Sequence, residues 1–386
     1  MKRFAFSIAT DIWSSSLILV AASIFLNSFG QGLLGAASTN YFVDILGLSG
    51  GQVLWLEGIR ELPGLALMLI AALTMRLPLS WRTAAALLIM GLGYALYAFV
   101  KSYTALVAVA LVASLGMHMW MPAHSALGLC LTTKERSGRV LGTLSSVGAL
   151  ATMIGMGSIA LASRLFQSLP LSVYHWVSGA LIMVAGLILF RLPRRIGSTK
   201  AVQPRMLLKR RYWLFYVLTF FEGSRKEVLG AFVKLVLVQN FGSKVWQISS
   251  LLLVSSLLSF VCAPVMGYLI DRYGERRMLS LSYVALSLCC VGYGIIRQIW
   301  LIVILFITIK LFLTLGMGLS TYVNRIAPPE ELTPTLSAGI SINHVTSVAM
   351  PLLAGALLPI IQYRGIFLGT AALIMLSVPF ALALRV

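Results

Sequence analysis

Apolar runs of about 18 residues or more, each bounded by charge, recur from one end of this chain to the other, and a run of that length has one natural solvent, the hydrocarbon of a bilayer. Twelve such runs start near Leu17, Gln52, Thr83, Thr104, Val140, Val173, Tyr212, Ile248, Met278, Trp300, Thr335 and Gly365. At about 20 residues per crossing they account for most of the 386 residues. Composition agrees: 59% of the residues are hydrophobic, only 11% are charged, and the mean hydropathy is +0.94. That is too little polar surface to clothe a soluble globule of this size. Backbone groups in lipid must be paired within the segment, so the expected fold class is an all-α integral membrane protein of twelve transmembrane helices. The connections are short, and no soluble domain of any size is expected.

The net charge of +19 would suggest nucleic acid in a soluble chain, but the cations alternate with the spans. With the N-terminus inside, one face holds 20 of the 30: Lys2, Arg3, Arg76, Arg82, Lys134, Arg136, Arg139, Arg191, Arg194, Arg195, Lys200, Arg205, Lys209, Arg210, Arg211, Arg272, Arg276, Arg277, Arg325 and Arg385. The other face has Lys101, Arg164, Lys244, Arg297 and Arg364. The positive-inside rule then places both termini in the cytoplasm and removes any need for a nucleic-acid partner. Cys130, Cys262, Cys289 and Cys290 lie within or at the ends of apolar runs with no CxxC spacing, and read as small packing residues. Lys2 and Arg3 ahead of an apolar stretch imitate a leader peptide, yet the stretch is long and eleven more follow, so it is read as a retained first span. A bacterial inner membrane and a monomer are the expected setting.

The longest hydrophilic stretch, residues 191–211, is basic and interrupted by Pro193, Gly197 and Pro204. It is expected to be a cytoplasmic linker dividing two six-helix bundles, residues 1–190 and 212–386. A charged turn, Lys134-Glu-Arg-Ser-Gly-Arg-Val-Leu-Gly142, follows span 4, and Pro328 to Gly339 follows span 10 in similar style, a weak internal symmetry of the kind duplicated transporters carry. Gly155, Gly157, Gly316 and Gly318 are read as sites of close helix packing.

Between spans 8 and 9 stands Gly267-Tyr-Leu-Ile-Asp271-Arg272-Tyr-Gly274-Glu-Arg276-Arg277. This stretch resembles the loop signature of the major facilitator superfamily, and the twelve spans, inside termini and basic central linker extend the resemblance over the whole chain. The resemblance implies a transporter fold in which Gly267, Asp271, Arg272, Gly274, Arg276 and Arg277 form a conformational switch on the cytoplasmic face. Asp271 would favour the positive end of the helix starting at Pro334-Thr335. The corresponding stretch of the first half, Met75-Arg76-Leu-Pro78-Leu-Ser-Trp-Arg82, lacks the aspartate, and span 5 lacks the Gly-Pro pair of many drug-proton antiporters of the family. The two halves are therefore not expected to share one lock.

Nine ionisable groups lie within spans, where each costs about 2.5–3.5 kcal/mol on insertion scales unless a partner or water offsets it. They are Glu57, Arg60, Glu61, Glu222, Arg225, Lys226, Glu227, Lys234 and Lys310. Helical spacing lets Glu57 pair with Arg60, and Glu222 with Arg225 or Lys226, leaving Glu61 and Lys310 without partners on their own helices. Such pairs could staple helices or serve function. In the functional reading Arg225, Lys310 and Lys226 hold an anionic group of the substrate, while Glu61, Glu222 and Glu57 are candidates for proton coupling. His118 and His124 sit six residues apart on different helix faces, His344 follows Asn343, and His175 is near an outer boundary, so no metal site is expected. His118, Asn343 and His344 can contact substrate or simply bridge helices. Met117, Met119, Trp120 and Met121 are read as packing residues that could also line an adaptable pocket.

The combined expectation is a transporter moving a small organic solute by alternating access, coupled to protons, with export slightly ahead of import. No cofactor is expected. An organic-anion uniporter or exchanger without protons is the alternative, and a non-transporting receptor a distant one. No Walker loop, catalytic Ser-His-Asp set or redox CxxC points to an enzyme.

Overall fold

The computed structural model describes residues 13–66, 77–132, 136–166, 168–196 and 208–385. Lys2, Arg3, Arg76, Lys134, Lys200, Arg205, Gly197 and Pro204, the side chain of Arg139, and the second half of the run starting near Gln52 fall outside these residues.

Among the described residues the chain is helical and without strands. The N-terminal helices are α1 (Ser15–Asn40), α2 (Gly50–Ile59), the short α3 (Leu62–Leu65), α4 (Leu79–Leu96), α5 (Tyr103–Leu129), α6 (Ser137–Leu165) and α7 (Leu171–Leu189). The C-terminal helices are α8 (Trp213–Glu227), α9 (Val233–Phe241), α10 (Val245–Tyr273), α11 (Glu275–Ile295), α12 (Ile299–Thr314), α13 (Met317–Ile326) and α14 (Pro329–Leu382). Local chemistry sets several starts. Ser14 and Ser102 cap α1 and α5 through Leu17 N (3.2 Å) and Ala105 N (3.3 Å), and Ser49 with Gln52 forms a reciprocal capping box on α2.

Nine helical segments among the described residues are long and apolar enough to cross a membrane, against the twelve expected. The difference lies in three places. Segment Thr335–Leu382 is broken at Gln362, whose φ of 59° and ψ of 179° are not helical, so it holds two rods. The run from Trp213 to Phe241 is helical throughout, joined by a π turn at Val228–Phe232, but carries too much charge to count as apolar. The run from Gly50 turns at Arg60-Glu61, ahead of Pro63, resumes as α3, and has its second half outside the described residues.

The motif expected as a loop is mostly helix. Gly267 to Tyr273 form the last turns of α10, α11 resumes at Glu275, and Gly274 alone, at φ +81°, makes the corner. A positive φ is cheap only for glycine, which lets a single residue reverse the chain.

Helices α1, α6 and α7, and separately α4, α5 and α7, pack side by side, as do α8 and α11 against α14. Close approach needs small residues: a Cβ on Gly32 of α1 would strike the Thr152 carbonyl of α6 and come within 3.1 Å of Gly155 Cα. The N- and C-terminal groups meet along two seams, α2 on α14 and α6 on α10. At the first, Trp55 Nε1 donates to the Leu352 carbonyl (3.1 Å) and Gly51 lies against Gly355. Gln239 Nε2 to the Leu48 carbonyl (3.2 Å) and Asn40 Nδ2 to the Ser243 carbonyl (2.9 Å) add cross-links, and Arg164 stacks over Trp246 (5.4 Å). All of these lie at the end of the molecule away from residues 191–196 and 208–211, and they close it there.

Candidate functional site

Pro63 sets the local geometry of the site. It has no N–H, so the helix that begins at Gly50 cannot continue its bonding pattern. Gly64 N turns back to the Glu61 carbonyl (3.0 Å), and the carbonyl of Arg60 is taken by the Ser114 hydroxyl of α5. This break turns Glu61 inward, where it is 6% exposed. Its Oε2 accepts from Lys226 Nζ of α8 (3.1 Å) and His344 Nδ1 of α14 (3.1 Å), with His118 Nε2 of α5 at 3.9 Å. Glu61 and His118 belong to the N-terminal helices, Lys226 and His344 to the C-terminal ones. The partner missing from Glu61's own helix is thus supplied across the interface.

Of the two same-helix pairings expected, one is present: Arg60 Nη1 meets Glu57 Oε2 at 2.9 Å. The other is replaced. Lys226 reaches Glu61 and Glu227 (3.7 Å), and Arg225 lies 4.4 Å over the Tyr283 ring of α11, while the Glu222 carboxylate lies beside Gly316. Consecutive helical positions point about 100° apart, so Arg225, Lys226 and Glu227 must choose different neighbours. Arg225 is 2% exposed, and its Nε and Nη1 make no hydrogen bond. Such donors cost about 1–3 kcal/mol when left unsatisfied, more on a charged group. Lys310 sits 5.5 Å from the Phe306 ring, with no carboxylate within 4 Å among the described residues. Lys234 donates to the Gly35 carbonyl (3.4 Å).

A cavity of about 420 Å³ is lined by Glu222, Arg225, Lys226, Glu227, Gly230, Lys310, Leu313 and Asn343. A second, of about 400 Å³, shares Glu222, Lys226 and Asn343 and extends past Thr219, Met121, Phe215 and Leu336 toward the start of α8. Together they form a recess from mid-depth toward the linker face, ending below the closed seams. The structure therefore brings Arg225, Lys226, Lys310, Asn343, Glu222 and, through His344, Glu61 and His118 into one region. Glu57 faces Arg60 beside it. His124 stacks on Trp120 (5.0 Å) and is not part of this group. His175, near the outer end of α7, is fully buried between Tyr41 (4.5 Å) and Tyr97 (5.6 Å), where aromatic faces offer it a dry seat.

On the linker face Arg325 reaches Asp271 (3.5 Å) and the fully buried Glu275 (2.8 Å). The described partner of Asp271 is this arginine at the end of α13, where the helix starting near Thr335 was expected. Arg272 donates to Tyr268 Oη (3.2 Å), Arg276 and Arg277 are exposed, and a Cβ on Gly267 would meet open space. Lys209 Nζ (2.8 Å), Arg211 and Tyr212 Oη (3.0 Å) converge on Glu331, tying the end of the linker to α14.

Sequence reasoning missed Tyr283, Ser114, Trp55 and Gly64. None carries a charge in a span, and only Ser114, four residues before His118, had a local signal.

Residues 215–386 match the family model described as Major Facilitator Superfamily. No curated protein matches the chain in sequence. Among solved structures, the nucleoside transporter NupG is similar over 96% of this chain and 99% of its own, with a TM-score of 0.77 at 14% identity. A bacterial homologue of the human lysosomal transporter Spinster, inward-facing and occupied, matches over 95% of both chains with a TM-score of 0.75 at 13% identity. The human organic anion transporter MFSD10 matches over 96% of this chain and 100% of its own, with a TM-score of 0.62 at 14% identity. Residues 215–386 are thus similar in sequence to the major facilitator superfamily, and nearly the whole chain, a multi-pass membrane protein by its apolar helices, shares the fold of these solved structures.

Proposed function

We propose that the chain is a secondary transporter that moves a small organic solute by alternating access between bundles 1–190 and 212–386, with proton coupling through Glu61 and Glu222. The observation that carries the reading is the recess at mid-depth, charged at its blind end by Arg225, Lys226 and Lys310 and closed toward the far face by the α2–α14 and α6–α10 seams. With residues 191–211 in the cytoplasm, this is a cytoplasm-open state. Arg225, Lys226, Lys310 and Asn343 bind the solute, with His118 and His344 at its edge. The unsatisfied donors of Arg225 suit a carboxylate or phosphate, which would accept bidentate bonds. Glu61 links proton and solute because Lys226 is common to both. An anion drawing Lys226 into the cavity leaves Glu61 free to take a proton, and only the loaded forms of each state then interconvert readily. The Asp271, Glu275 and Arg325 cluster holds the linker face of the C-terminal bundle as a switch.

The alternative is an organic-anion exchanger or uniporter without protons, favoured by Lys310, a cation in the cavity with no carboxylate within 4 Å among the described residues. One experiment separates the two: proteoliposomes with an imposed pH gradient, offered a metabolite mixture and read by mass spectrometry with and without uncoupler. Gradient-dependent accumulation that Glu61→Gln abolishes supports coupling. Equilibration indifferent to the gradient gives the exchanger reading, and no uptake of any solute defeats both.

A further inference from the structure

Glu61, His118 and His344 present three metal-ligating atoms, all within 4.8 Å of one another, contributed from both sides of the interface between the two helix groups. No spacing in the sequence brings them together; the fold does. The orientation of His118 is informative. Its Nδ1 lies 2.9 Å from the Ser114 carbonyl, and a bond to a carbonyl requires the proton on that nitrogen. Nε2 then carries a lone pair and is aimed at Glu61 Oε2, 3.9 Å away. Two acceptors facing each other in a buried space call for a cation between them. A histidine whose far nitrogen is fixed by a backbone carbonyl is also the usual arrangement around a bound metal. Gly64 makes the space: a Cβ there would stand 2.7 Å from His118 Nε2 and 2.9 Å from His344 Nδ1. The two rings meet edge to face at 5.1 Å over this residue.

We propose that a divalent transition-metal ion of the Zn²⁺ type binds between Glu61 Oε2, His118 Nε2 and His344 Nδ1, displacing the Lys226 ammonium that now shares the same carboxylate oxygen. Metal–ligand bonds of about 2.0–2.2 Å in tetrahedral array place donor atoms about 3.3 Å apart, so the 3.1 Å and 3.9 Å separations adjust by less than an ångström and the two histidine nitrogens, within 4.8 Å, by at most about 1.5 Å. His344 Nδ1 loses its proton to the cavity on ligation, and Lys226, 43% exposed, turns toward the cavity. Two nitrogens and one oxygen leave a fourth position for water. An ion so placed ties α5 and the Glu61 turn to α14 and holds the two helix groups as they now stand.

The test is direct binding, independent of any transported solute. Full-length protein in detergent, stripped with chelator, is titrated with Zn²⁺ against a fluorescent zinc indicator, and its melting temperature is followed. One ion per chain is expected, with a rise in melting temperature. Glu61→Gln, His118→Ala and His344→Ala should each weaken binding at least about 10-fold. Lys226→Met should strengthen it, because the competing cation is gone, and a gain of affinity is not produced by misfolding. Absence of micromolar binding, affinity unchanged in both histidine variants, or weakening in Lys226→Met would overturn the proposal.

Discussion

The α2–α14 seam can be opened with a single methyl-bearing side chain. Gly355 faces Trp55 and Gly51 so closely that a Cβ would strike Trp55 Cδ1, approach Nε1 to 2.6 Å and the Gly51 carbonyl to 2.9 Å. The carbonyl is backbone, so no rotamer change relieves that contact. Gly355→Val therefore forces the two helices apart, and overpacking of this kind costs about 1–3 kcal/mol. Loss of the Trp55 Nε1 bond to Leu352 adds about 1 kcal/mol. The penalty falls only on the arrangement in which this end is closed, so the equilibrium between states shifts by that difference. Even the lower bound, about 1 kcal/mol, is roughly a five-fold change, and 3 kcal/mol is roughly 150-fold. Leu358, 8% exposed and packed on Gly50, reports opening when replaced by cysteine. With Cys130, Cys262 and Cys289 changed to Ser and the fully buried Cys290 kept as an unfolding monitor, a membrane-impermeant maleimide should label Leu358→Cys at least five-fold faster in the Gly355→Val background. Unchanged labelling of a folded variant would refute the steric argument, as would equal labelling of Cys290.

Arg225→Ala should abolish recognition of an anionic solute while leaving the fold intact, since Tyr283 and Cys290 remain packed behind it; transport at the wild-type rate would remove Arg225 from the binding group. Arg325→Gln leaves the fully buried Glu275 without its cation, so a fall in melting temperature is expected, relieved by the double change Arg325→Gln with Glu275→Gln. On the linker face, hydrogen bonds from Lys209, Arg211 and Tyr212 hold the Glu331 carboxyl down at about 2. A depressed carboxyl stabilises the fold above its ordinary value of 4.5, and that contribution fades as pH falls toward 2, so melting temperature should drop on acidification through this window by less in Glu331→Gln than in the parent.

How far the sequence spoke depended on the range of each interaction. Helix positions follow from local hydropathy, and the starts at Ser15, Tyr103, Val245 and Ile299 fall within a few residues of those read from the chain. The break at Arg60-Glu61 was written in Pro63 but hidden by the apolar residues around it. Glu57 with Arg60 is a same-helix pair and could be read from spacing alone. The destination of Lys226 could not: spacing allows Glu222, and the fold selects Glu61, 165 positions away. For the same reason four histidines looked scattered, although His118 and His344 share a glycine. The charged motif was easy to find and hard to shape, because one glycine at positive φ turns what reads as a loop into two abutting helices.

The π turn at Val228–Phe232 resets the register of the helix that bears Arg225 and Lys226. A π turn takes in one residue more than the α pattern, so everything after it is rotated by about 100° relative to an unbroken rod. That rotation brings Lys234 to the Gly35 carbonyl of α1, anchoring the far segment to the N-terminal group, while Lys226 on the near segment reaches toward Glu61. One continuous span thus contains a register shift beside the charged recess. The near segment is thereby aimed at Glu61 and the far one at α1, two neighbours that an unbroken rod in one register would not serve alike.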